Sequence, residues 1–133
     1  MNTTYFLNCV AGNLFRTKNS PAIPAEYYIG LSTTTPNING TNVTEPAASA
    51  GYARVKLDML GEPVAGVVTN GANIDFNEST VSWGTVTNFV IFDALTGGNL
   101  LQYGPISTPR SVEAGTIMTI KSGYLNLSVQ NQT

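Results

Sequence analysis

An unbroken apolar run, Phe89 to Phe92, constrains the fold of this chain more than any other feature of its sequence. A run of strand length without a polar residue indicates a strand buried on both faces, as in the centre of a covered sheet. A second apolar run begins at Leu100, and Gly97, Gly98 and Asn99 stand between the two runs. These three residues therefore predict the turn of a β-hairpin that joins two core strands.

A glycine-rich loop that binds a phosphate is the alternative interpretation of the same stretch. Such a loop needs a helix after the glycines, because the helix N-terminus and a lysine complete the anion site. Residues 99–105 read Asn-Leu-Leu-Gln-Tyr-Gly-Pro, which is a strand pattern without a lysine. The stretch is therefore predicted to be a turn, in which Asp93 and Thr96 bond to local backbone amides.

Segments on both sides of this hairpin also read as strands, because β-branched, aromatic and alternating residues recur in them. They are EYYIGLSTTT (26–35), GYARVKLDML (51–60), ANIDFN (72–77), GTIMTIK (115–121) and GYLNLSVQ (123–130). The alternation in GYARVKLDML predicts one buried face and one wet face, and the wet face carries Tyr52, Arg54 and Lys56. The last two segments flank Ser122-Gly123 and predict a second hairpin.

One helix is predicted, from about residue 3 to about residue 16. Phe6, Val10 and Leu14 recur at every fourth position and line one face of it. Thr3 or Thr4 supplies the N-cap oxygen.

About seven to eight short strands after one short helix predict an all-β fold, an antiparallel β-sandwich that is jelly-roll-like or Ig-like. The 133 residues are enough for one core, so a single domain over residues 1–133 is expected. The polar stretch from Pro36 to Gly51 is too long for a tight turn and is predicted to be a surface loop.

The low charge and the missing residue types exclude several classes of function. The chain carries 6 Lys plus Arg, scattered along it, and a net charge of −2, so no nucleic-acid partner is expected. It has no histidine and a single cysteine, Cys9, so we expect no metal, no cofactor and no enzyme with a histidine-activated nucleophile. No apolar stretch approaches the roughly 20 residues of a membrane span, and the N-terminus lacks the basic start of a secretory signal. No membrane partner is therefore expected.

Trp83, Tyr52 and Tyr103 are the candidate residues for contact with a host glycan or a partner protein. Together with Tyr27 and Tyr28 they are candidates for a sugar-stacking platform, since amphipathic rings suit partly wet surfaces. Aromatic residues also fill the core of a β-sandwich, so the alternative is that these rings are buried in the core. Low charge combined with many Asn and Thr residues gives wide neutral polar surfaces. Such surfaces favour permanent contact with sister subunits, so a homo-oligomer, for example a trimer, is expected.

Several segments, in the same order, resemble small virion proteins of tailed bacteriophages. They are YYIGLSTTTP (27–36), TEPAASAGYARV (44–55), TNGANIDF (69–76), VSWGTVTNFVIFDALTGGNLLQYGPIS (81–107) and VEAGTIMTIKSGYLNL (112–127). The resemblance covers most of the chain and departs from the family pattern at Asn88 and Val90. The family has no catalytic motif to carry over to this sequence.

The resemblance implies a structural component of the virion, associated with the tail, a fibre or the head. Such a protein is made in the cytoplasm of the bacterial host and binds other virion proteins, either major capsid or tail proteins. Capsid decoration is the favoured role, since a small domain without a stalk can occupy many equivalent capsid sites. The alternatives are a tail or fibre component, a carbohydrate-binding module for host attachment and, with least weight, a cell-wall hydrolase.

Overall fold

A computed structural model describes residues 1–16, 23–58 and 60–130 of the chain. Within these residues it has one α-helix, α1 (Thr4–Phe15), and eight strands. The strands are β1 (Tyr28–Ser32), β2 (Val55–Lys56), β3 (Val67–Thr69), β4 (Ile74–Asp75), β5 (Gly84–Phe92), β6 (Leu100–Val112), β7 (Thr119–Ile120) and β8 (Asn126–Ser128). All strand pairs are antiparallel. The predicted fold class, antiparallel all-β with a short N-terminal helix, is confirmed.

Helix α1 begins at the N-cap predicted from the sequence. The Thr3 hydroxyl accepts a hydrogen bond from the backbone N–H of Phe6 at 3.2 Å and donates one to the carbonyl of Leu100 at 2.6 Å. The cap therefore starts the helix and fastens it to β6 at the same time. The far end of the helix is different, because Leu14 and Phe15 are exposed there.

Four strands form the largest sheet, in the order β2-β1-β5-β6. Strand β5 lies between two long neighbours, with Ile91 opposite Ile29 of β1 and Phe89 opposite Gly104 of β6. Val90 and Ile91 point to opposite faces of the sheet, and both are buried. The prediction that the apolar run forms a central strand covered on both sides is confirmed.

The second layer consists of two short sheets, one of β3 with β8 and one of β4 with β7. The prediction that the last two segments form a hairpin with each other is therefore wrong. The chain does turn between them, since the N–H of Tyr124 donates to the carbonyl of Lys121 at 3.0 Å. A turn sequence sets only the local direction of the chain, whereas the pairing partner is set by the apolar faces that can be buried.

The main core joins the four-stranded sheet to the two short sheets and to α1. Its buried members are Ile29, Leu31, Ala50, Tyr52, Leu57, Ile74, Phe76, Trp83, Val86, Ile91, Leu101, Val112, Met118 and Leu125. A smaller cluster on the opposite face of the sheet contains Val90, Phe92, Leu100 and Tyr103. Val43 packs against this cluster, so the polar loop 36–51 covers the second face of the sheet.

Strand β6 forms one edge of the large sheet, and its outer side is covered in its first part. The N–H of Thr3 donates to the carbonyl of Leu101, and the N–H of Tyr103 donates to the carbonyl of Met1. Farther along, the pairing with β5 jumps from Pro105 to Arg110 across a single residue of β5, so residues 106–109 bulge out of the ladder. No helix in the described part of the chain is long and apolar enough to cross a membrane.

Candidate functional site

A buried ion pair lies on the face of the sheet that the alternation of GYARVKLDML predicts to be wet. The side chain of Arg54 is 6% exposed, and its Nε and Nη2 donate to the two carboxylate oxygens of Glu45 at 2.9 and 2.8 Å. This is the bidentate geometry that makes such pairs strong. The prediction that Tyr52 and Arg54 face water is wrong, because the loop 36–51 folds over this face and brings Glu45 to them.

The same guanidinium holds the turn between β5 and β6. Nη1 of Arg54 donates to the carbonyls of Ala94 at 2.8 Å and Gly97 at 2.7 Å. Its Cζ atom lies 3.6 Å from the centre of the Phe92 ring, in a cation–π contact. One side chain thus ties the loop 36–51 and the turn to the sheet face.

Tyr52 completes this network with its hydroxyl. The hydroxyl donates to Oε1 of Glu45 at 2.6 Å and accepts from the backbone N–H of Leu31 at 3.0 Å. Burial, and then the hydrogen bond to Glu45, raises the pKa of Tyr52. A Cβ atom at Gly30 would collide with the Tyr52 hydroxyl and lie 2.7 Å from Oε1 of Glu45, so the network needs a glycine there.

The three aromatic residues predicted to contact a glycan or a partner lie inside the protein. Trp83, Tyr52 and Tyr103 are only 6–8% exposed. Tyr52 and Trp83 meet edge to face, with ring centres 5.5 Å apart, and the indole N–H of Trp83 donates to the carbonyl of Ala50. Tyr103 packs separately, in the smaller cluster. These three rings are therefore buried, whereas Tyr27 and Tyr28, the other residues of the predicted platform, are half-buried.

The residues predicted to define a turn lie between β5 and β6. Gly97 and Gly98 have φ angles of +62° and +76°, in the region that favours glycine. The carboxylate of Asp93 closes the turn, since its two oxygens accept from the backbone N–H of Asn99 at 2.7 Å and from the Asn99 side chain at 3.0 Å.

An open cleft runs along the second half of β6, and we call it the β6 cleft. It encloses about 180 Å³. Its lining is Phe89, Pro105, Ile106, Ser107, Thr108, Arg110, Met118, Thr119, Ile120, Lys121, Tyr124 and Leu125. The bulge of β6 forms one wall, and β7 with the turn that follows it forms the other. Met118 and Leu125 are buried and give the cleft an apolar floor.

The buried side chain of Asn70 holds the turn that forms the second wall. Its Oδ1 accepts from the backbone N–H groups of Gly123 and Leu125, each at 3.0 Å, and its Nδ2 donates to the carbonyl of Lys121 at 3.0 Å. Asn70 is only 2% exposed. These hydrogen bonds to Asn70 therefore fix the backbone that carries Lys121 and Tyr124.

The β6 cleft is positively charged. Arg110 and Lys121 are exposed and line it, and no carboxylate is among its lining residues. The salt bridges of the described residues join Arg54 to Glu45 and Lys56 to Glu26. Neither cation of the cleft takes part in them. This site was not predicted from the sequence, although Lys121 and Tyr124 flank the turn signal Ser122-Gly123.

A second concave surface, the α1 groove, lies between the helix and the sheet of β3 and β8. It encloses about 270 Å³ and is lined almost entirely by apolar side chains. They include Phe6, Tyr27, Leu57, Leu60, Val68, Leu127 and Val129. Among the residues that the structure describes, no group of three His, Cys, Asp or Glu side chains could hold a metal ion.

The family model described as Podophage GP4 fiber I protein gp80 matches residues 2–128. The match runs from the residue before the helix N-cap to the end of β8 and includes both the β6 cleft and the α1 groove. The chain belongs to this family. The resemblance to virion proteins of tailed bacteriophages is thereby confirmed, and the gp80 family places the chain among structural components of the tail or fibre class. A search of curated proteins finds no match.

Proposed function

We propose that the chain is a non-enzymatic fibre subunit of a podophage virion. The observation that carries the proposal is the family match over residues 2–128, because it spans the whole helix and every described strand. The polar chemistry of the fold supports a structural role. The well-buried charged side chain of Arg54 binds Glu45 and two backbone carbonyls, so its donors are satisfied within the fold.

Self-assembly of the subunit is the second part of the proposal. The helix end formed by Leu14 and Phe15 is apolar and exposed, with Phe15 80% exposed, and the same molecule has an apolar groove. Exposed apolar groups of this kind mark contact surfaces. We assign the α1 groove to the helix end of a second copy of the chain. Such a head-to-groove contact forms a ring, for example a trimer, when the rotation between successive copies closes.

Counting the chain in purified virions tests the fibre role. Quantitative mass spectrometry against the major capsid protein is expected to give a small number of copies per particle, and cryo-microscopy is expected to place their density on the tail. A copy number in the hundreds, with density on the capsid lattice, would instead support capsid decoration, the role that the sequence favoured. Absence of the chain from purified particles would refute both roles.

A further inference from the structure

We propose that the β6 cleft binds an acidic saccharide, meaning a sugar chain that carries carboxylate or phosphate groups. Arg110 and Lys121 bind the anionic group, and the Tyr124 ring packs against a sugar face. The inference goes beyond the fibre role, because it assigns a ligand to a site that the family match does not describe.

The charge of the cleft selects an anion. Arg110 and Lys121 lie on opposite walls, and neither takes part in a salt bridge of the described residues. The carboxylate nearest to the lining, Asp75, already accepts a hydrogen bond from the Thr119 hydroxyl at 2.6 Å. A guanidinium offers paired donors that match carboxylate or phosphate oxygens, and an ammonium adds a mobile point charge. Because Asn70 fixes the Lys121 backbone, part of the binding geometry exists before the ligand arrives.

The shape of the cleft and its aromatic residue select a sugar. Tyr124 is 70% exposed, although its neighbour Leu125 is fully buried, so the ring stands out from the turn. Such amphipathic rings contact ligands that have one apolar and one polar side, as sugar rings do. Ser107 and Thr108 on the bulge add hydroxyl groups that can both donate and accept.

The bulge argues against a peptide as the ligand. Peptides commonly bind β proteins by adding a strand to a sheet edge, which requires a continuous row of free backbone groups. Residues 106–109 leave the ladder of β6, and Pro105 and Pro109 have no N–H to offer. A nucleic acid is disfavoured as well, because two cations make only a small electrostatic footprint.

Binding by one isolated cleft is expected to be weak, about 1 mM, because few groups contact the ligand and the site is open. A fibre that presents several copies would bind a repeating polysaccharide more tightly through multivalency. The salt dependence is also predicted: affinity falls as sodium chloride is raised, because the screening length shrinks from about 30 Å at 0.01 M to about 8 Å at 0.15 M.

The test is an NMR titration of the full chain with trigalacturonic acid, and its methyl ester is the neutral control. Amide shifts are expected at the bulge and at residues 121–125, saturable for the acid and absent for the ester. Arg110→Gln together with Lys121→Gln is expected to weaken binding about tenfold or more. Tyr124→Ser is expected to weaken binding of the acid without changing the charge of the cleft. Lys56 is an exposed cation outside the cleft, so Lys56→Gln is expected to leave the binding unchanged.

Several outcomes would overturn the proposal. The ester could bind as tightly as the acid, or the amide shifts could map to residues outside the cleft. Lys56→Gln could lose as much affinity for the acid as the cleft variants do, or a Glu-rich peptide could compete for the cleft better than the acid. An inorganic phosphate arm, compared with a phosphorylated trisaccharide, separates binding of the anion alone from binding of the sugar. Variants are compared only where their amide spectra match the wild type away from the cleft. The copy number of the chain in virions does not enter this assay, so the fibre role and the cleft can fail independently.

Discussion

The guanidinium of Arg54 contacts groups from two separate stretches of the chain. One is the Glu45 carboxylate, and the other is the Phe92 ring with the carbonyls of Ala94 and Gly97. All of its nitrogens are used, so desolvation of the charge is compensated by hydrogen bonds on every side. Removing Arg54 or Glu45 would leave the other as a largely buried charge without its countercharge.

Arg54→Ala is expected to lower the free energy of unfolding by about 3–5 kcal/mol, because the Glu45 carboxylate loses its countercharge and two backbone carbonyls lose their donor. Arg54→Lys is expected to recover only part of this, since an ammonium cannot form the paired contacts. Urea denaturation measures both values. Lys56→Ala is the control, because its ion pair with Glu26 is half exposed and is worth less than about 1 kcal/mol. Equal losses in Arg54→Ala and Lys56→Ala would contradict a structural role for the network.

Residue-level prediction from the sequence succeeds where burial is decided by neighbours along the chain. Thr3 as the N-cap and the double-sided burial of Phe89 to Phe92 follow from local pattern. Arg54 and Tyr52 could not be predicted in this way, since their surroundings come from a polar loop that folds over them. A loop rich in Asn and Thr gives no local signal that it covers a sheet.

At the scale of elements, the two glycines of the turn between β5 and β6 have different surroundings. A Cβ atom at Gly97 would meet no atom within 4 Å, whereas one at Gly98 would lie 2.5 Å from Oδ1 of Asp93 and 2.8 Å from the Ala94 Cβ. Both residues have positive φ, so backbone strain applies to each of them. Only at Gly98 does a side chain also disturb the carboxylate that closes the turn.

Gly97→Ala is therefore expected to cost about 1 kcal/mol of unfolding free energy, from backbone strain alone. Gly98→Ala is expected to cost about 2–4 kcal/mol, because the new side chain adds backbone strain and also displaces the Asp93 carboxylate from the backbone N–H of Asn99. Thermal and urea unfolding of the matched pair measure the difference. Equal costs at the two positions would show that the Asp93 contact contributes nothing to stability.

Strands and turns could be predicted from the sequence more reliably than their pairing. The segments that become β7 and β8 are correctly expected to be strands around a turn, but each pairs with an earlier strand. Asn70 helps to fix this arrangement by bonding to Lys121, Gly123 and Leu125. These contacts join residues about fifty positions apart, so no local sequence pattern predicts them. The β6 cleft depends on these contacts and for that reason could not be predicted from the sequence.

At the scale of the whole molecule, the proposed contact between the exposed helix end of one copy and the α1 groove of another can be tested. Phe15→Ser is expected to weaken self-association by about 2 kcal/mol, roughly 30-fold, because one phenyl ring no longer leaves water on binding. Val129→Lys, in the groove, is expected to have the same effect from the other side of the contact. Sedimentation velocity over a range of concentrations measures both.

Leu95→Ser is the matched control for this experiment, since Leu95 is another exposed apolar residue but lies in the turn between β5 and β6. A wild-type chain that stays monomeric at every concentration, or a Phe15→Ser variant that associates as the wild type does, would refute the groove contact. The fibre role would then rest on other surfaces of the subunit.

The outer side of β6 bears on how readily the chain can aggregate. A long, free strand edge is a template on which further chains can add, and the result is open-ended cross-β growth rather than a closed assembly. Residues 1–3 occupy the first part of this edge, and a bulge flanked by prolines interrupts the rest. Copies of the chain that meet at high local concentration would therefore find no continuous free edge on β6 to extend.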